Sequence, residues 1–116
     1  MSTVYHESGL SKEAQAAHRA LASMIEELEA VDWYNQRADA AEDEELKKIL
    51  LHNRNEEIEH ASMLLEWLRR RIPEFDEELR TYLFTEKSIV DIEEDEEDEE
   101  GEKESSSGSG DLGIGS

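Results

Sequence analysis

The chain has 116 residues and a formal net charge of −20, from 12 Lys and Arg against 32 Asp and Glu, and it contains no cysteine. Its length allows one domain, and its charge argues against nucleic acid and anionic membrane surfaces as partners and in favour of cations or basic surfaces. The lack of cysteine excludes a disulfide framework, thiolate metal ligands and a Cys nucleophile, and it fits a reducing cytosol.

Residues 1–10 read as a flexible N-terminus. They lack the basic start and apolar run of a secretory signal. No stretch of the chain reaches the roughly 18 apolar residues of a membrane span, so a cytoplasmic location is expected. A helical domain is expected over residues 11–90. Ser11 is a good N-cap, and Ala, Glu and Leu dominate the stretch after it, free of Gly and Pro. Leu10, Ala14, Ala17, Leu21, Met24, Ile25, Leu28 and Val31 form one stripe at 100° per residue. This first helix runs to Asp39 or Ala40.

Ala40-Ala41-Glu42-Asp43 reads as a turn, with Asp43 the next N-cap and Glu44 and Glu45 suited to the positive end of the helix dipole. The second helix carries Leu46, Ile49, Leu50, Ala61, Leu64, Trp67 and Leu68 on one face. It ends in Arg69-Arg70-Arg71, and Pro73 stops it. Two helices of this length with a short connection make an antiparallel hairpin, each arm about 45 Å long. Residues 73–84 carry Phe75, Leu79, Tyr82 and Leu83 and read as a short C-terminal helix. The fold class is therefore all-α. Two long helices and a short one bury little surface alone, so an oligomer is expected.

From Asp91 to Glu104 only Ile92, Gly101 and Lys103 interrupt the acids. Such a run repels itself and buries no apolar surface, so residues 91–110, which end in a Ser/Gly stretch, are expected to be a disordered linker. Residues 111–116 (Asp111-Leu112-Gly113-Ile114-Gly115-Ser116) place Leu112 and Ile114 on one face if extended, as two anchors on a tether.

The second helix contains Glu57-Ile58-Glu59-His60. With His60 at zero on the wheel, Asn53 falls at about 20°, Leu46 and Leu64 at about 40°, Glu57 at about 60°, and Leu50 and Leu68 at about 80°. Glu57 and His60 thus share the apolar face, where a carboxylate is costly unless paired, protonated or bound to metal. Glu-x-x-His is the ligand unit of ferritin-like di-iron sites, which take two such units and two lone Glu. This chain carries half the set, so two copies would complete a four-helix bundle around the metals. The lone Glu would come from Glu26-Glu27-Leu28-Glu29. The wheel favours Glu27 by a modest margin, at the edge of the stripe and aimed at a neighbouring copy, while Glu29 lies on the opposite flank and Glu26 faces away.

Residues Met24 to Tyr34, His52 to Ala61, Glu66 to Arg70 and Leu79 to Glu86 together resemble the encapsulated ferritins. That resemblance implies a ferritin-like four-helix bundle formed by dimerisation, within a homodecamer built as a pentamer of dimers. It implies a ferroxidase that oxidises Fe(II) to Fe(III) with dioxygen at a di-iron centre between subunits. Glu27, Glu57 and His60 of two chains would be the ligands, with Tyr34 beside them. Glu26, Glu29 and Trp33 match an outer metal-uptake site. Residues 111–116 resemble the docking peptide of encapsulin cargo, so iron would pass into an encapsulin nanocompartment. The rival reading is a helical adaptor or metal-binding cargo protein without turnover.

Overall fold

The computed structural model describes residues 5–107, and these are helical with short connections. Among the described residues there are four helices and no strand: α1 (Lys12–Ala40), α2 (Glu44–Arg71), α3 (Pro73–Tyr82) and α4 (Ile89–Ser107). No helix among the described residues is long and apolar enough to cross a membrane. The tail expected to dock on a shell, residues 111–116, lies outside them. The chain divides into two compact units, Met1–Asp76 and Glu77–Ser116.

The first unit is the hairpin. Ser11 caps α1, its hydroxyl accepting from the Ala14 N–H at 3.0 Å. Asp43 caps α2 in the same way, accepting from the Leu46 N–H at 2.8 Å. Both residues are extended, as N-caps are, and each satisfies one donor that the helix leaves over. At the far end Ile72 closes α2 by donating to the Leu68 carbonyl at 2.9 Å, and Pro73 opens α3 at the one helical position where a missing N–H costs nothing. Arg69 braces this corner. It holds Glu66 through two hydrogen bonds of 2.7 and 2.8 Å and also pairs with Asp76. Arg69 and Arg70 together pull the Glu66 carboxyl down to about 2.

The hairpin core is thin. Ala20, Ala22 and Ala38 of α1 and Ala61 and Leu68 of α2 are buried, and Leu68 is the one large side chain among them. The apolar stripe is only partly covered: Leu21, Ile25 and Leu28 on α1 and Leu46 and Ile49 on α2 are exposed, as is Ile58 outside the stripe. Ala20 and Ala38 share one edge of α1, Ala61 and Leu68 share one face of α2, and the larger exposed side chains lie outside these buried positions. His18 is half-buried with its ring edge-on to Tyr5, ring centres 4.8 Å apart.

In the second unit, α3 ends two residues short of the sequence reading. Phe84 takes a positive φ of 61°, a left-handed conformation that costs a bulky side chain and breaks the helix. The acidic run, expected to be disordered, is helical here: residues 91–107 form the body of α4. Glutamate is a strong helix former, and the Ser88 carbonyl accepts the first bond from the Ile92 N–H at 3.1 Å. Lys87 pairs with Asp95, which offsets part of the repulsion and raises the Lys87 pKa above its ordinary value.

Candidate metal centre

Glu27 sits near the middle of α1, and Glu57 and His60 sit near the middle of α2. The antiparallel pairing brings them level. One donor atom from each lies within 4.8 Å of the others. His60 Nδ1 is 3.6 Å from Glu27 Oε2 and 3.7 Å from Glu57 Oε1. These separations are too long for good hydrogen bonds but suit three ligands around a cation. Glu27 thus joins the Glu-x-x-His of its own chain's α2.

The electrostatics are those of a site short of positive charge. Glu27 Oε2 is buried and has no hydrogen-bond partner, an arrangement that is costly unless something else supplies a charge. The Glu57 carboxyl is pushed above its ordinary 4.5, first by the facing Glu27 carboxyl, with which it competes for a proton, then by burial; His60 works in the opposite direction. The imidazole is about half exposed, so the centre has one open side. Two acids and a histidine form a hard, mixed oxygen and nitrogen donor set, which fits iron and other divalent transition metals better than a soft metal such as Cu(I).

The other sequence candidates do not join this group. Tyr34 lies two turns beyond Glu27, half-buried, with the Arg37 guanidinium 5.4 Å from its ring centre. Glu26, Glu29 and Trp33 are exposed on α1, and none of the three belongs to the clustered donors.

Sequence reasoning missed the groove that opens beside His60. It holds about 500 Å³ and is lined by Ala16, Arg19, Ala20, Ser23, Met63, Leu64 and Trp67 as well as His60. Its signal was present in the spacing. Ala16, Ala20, Ser23 and Glu27 recur at three or four residues on α1, as do His60, Leu64 and Trp67 on α2.

Comparison with known proteins gives the family of the chain. The profile of the EncFtn-like family matches residues 2–86. A ferritin-like protein of Thermotoga maritima is 53% identical over 116 aligned residues, spanning 98% of this chain and 97% of the relative. An encapsulated ferritin-like protein of Rhodospirillum rubrum is 61% identical over 84 residues, 72% of this chain and 60% of the relative. A solved protein of Nitrosomonas europaea superposes with a TM-score of 0.71 at 61% identity, covering 73% of this chain and 96% of that one. A family match across most of the helical residues, with relatives this similar along the chain, makes the protein a member of the EncFtn-like family.

Proposed function

We propose that the chain is a ferroxidase that takes Fe(II) and dioxygen as substrates at Glu27, Glu57 and His60. The observation that carries this reading is the convergence of those three side chains, with a buried carboxylate oxygen, Glu27 Oε2, that has no hydrogen-bond partner. Carboxylates favour the ferric product and can bridge two metals, and imidazole leaves positions open for oxygen. A carboxyl binds metal only when deprotonated, and Glu57 holds its proton more tightly than an ordinary glutamate because Glu27 faces it, so binding strengthens as pH rises.

Two copies complete the centre. One chain offers one Glu-x-x-His and one lone Glu, and the two-metal sites of ferritin-like bundles take twice that. The open stripe of Leu21, Ile25, Leu28, Leu46 and Ile49 supports a second copy on the same face. The decamer built from such dimers, a second role for Tyr34 near the metals, and metal uptake past Glu26 and Glu29 belong to this proposal as well. So does storage within an encapsulin shell, with residues 111–116 as the docking peptide. The name of the Rhodospirillum rubrum relative supports that location.

The test mixes metal-free protein with anaerobic Fe(II), admits air and follows Fe(III) by near-ultraviolet absorbance. Wild type oxidises iron well above a protein-free blank, and Glu57→Ala and His60→Ala fall to the blank. Wild type at the blank rate sinks the ferroxidase. Iron binding without oxygen uptake leaves a metal buffer in its place.

A further inference from the structure

The groove beside His60 carries an oxidisable side chain that the proposed reaction leaves unused. Met63 follows His60 by three residues on α2, so the two share a helix face, and both line the same groove. Met63 is 64% exposed. Met24, the other methionine among the described residues, is half-buried and does not line the groove. A leucine would extend the apolar wall of Ala16, Ala20 and Leu64 equally well; what methionine adds is a sulfur lone pair. Trp67, one turn further on, is partly covered by the Arg71 guanidinium, 4.7 Å from its ring centre, which leaves Met63 the more open target for an oxidant.

We infer that Met63 is a modification site, at which the thioether captures hydrogen peroxide leaving the metal centre and becomes methionine sulfoxide. This rests on the ferroxidase reading. Two Fe(II) ions each give one electron to dioxygen, which takes up two protons to leave as hydrogen peroxide. The Met63 sulfur lone pair then attacks one peroxide oxygen and the O–O bond breaks. The departing oxygen takes a proton and leaves as water, and the sulfur is oxidised by two electrons. No radical forms in this step, whereas peroxide meeting another Fe(II) splits one electron at a time beside His60. Met63 and His60 line the same open groove, so the sulfur lies beside the metal centre where the local peroxide concentration is highest. Sulfoxide reduction restores the thioether.

The test oxidises Fe(II) in air with the full-length wild-type protein, with and without catalase, and maps sulfoxide by peptide mass spectrometry. Sulfoxide at Met63 is expected to exceed that at Met24 several-fold, to grow with the iron oxidised, and to persist in part with catalase, because Met63 lies beside His60 and meets peroxide before it disperses. Met63→Leu is expected to lose its oxidation rate over fewer successive iron additions than wild type. Equal oxidation at Met63 and Met24, or full protection by catalase, overturns the inference, as does equal endurance of Met63→Leu. Normal Fe(III) formation with intact Met63 overturns it while leaving the ferroxidase standing. Iron oxidation at the blank rate removes both.

Discussion

Glu57 holds its proton more tightly than an ordinary glutamate because the Glu27 carboxyl faces it across a partly buried gap. A group whose folded pKa is raised stabilises the fold below its unfolded value and loses that contribution as pH rises through the folded one. In the metal-free protein, then, the charge on Glu57 opposes folding at neutral pH. Glu57→Gln is expected to melt a few degrees above wild type at neutral pH without metal. The gap should close below pH 4.5, the ordinary value of this carboxyl. Excess divalent cation should reverse the order, because binding to the native state stabilises wild type alone. Thermal melts at several pH values, with chelator and with metal, measure this directly. Glu57 and His60 were legible in the sequence because a three-residue spacing fixes a shared helix face. Glu27 was legible only as a preference over Glu26 and Glu29, since the wheel of one helix does not say where the other helix lies.

At the level of elements, the helices are held by local chemistry. The Asp43 side chain accepts from the Leu46 N–H at the start of α2. Asp43→Ala is expected to cost about 1 kcal/mol, read as a lower denaturation midpoint, with Ser11→Ala showing a similar loss at α1. α4 is the opposite case. Nine of the ten residues from 91 to 100 are acidic, so like charges meet at three- and four-residue spacing along it. Its helix is therefore salt-sensitive. Raising ionic strength should increase the far-ultraviolet helical signal of the full chain, and a flat signal would count against a helix limited by its own charge. Composition suggested a disordered segment here because it weighs repulsion heavily. The helix forms from glutamate propensity and the Lys87–Asp95 pair, which a charge count does not register.

For the whole molecule, the central fact is how little the hairpin buries by itself. One large side chain, Leu68, is fully enclosed, while Ile25, Leu28, Leu46 and Ile49 lie open on the long helices. Such a face calls for a partner, and a second copy serves both the apolar stripe and the half-set of ligands. Leu28→Asp is expected to shift native mass toward monomer and to weaken Fe(II) binding in parallel. Fe(II) added to wild type should shift the mass distribution toward dimer or larger species. Native mass spectrometry across protein and metal concentrations reads both effects, and an assembly indifferent to metal would argue against ligands shared between copies.

What the sequence determined by itself is the local part of this protein. Helix-forming residues, capping side chains and Pro73 set the bounds of α1 and α2, and the Glu-x-x-His spacing put two donors on one face, because each depends on residues within a turn or two. Only the tertiary structure decided which positions of the two helices would be buried, and that Glu27 would meet Glu57 and His60. It also decided that a groove would open between His60 and Trp67. Those outcomes depend on how two helices pack side by side, and a periodicity read along one helix carries no information about the angle at which its neighbour meets it.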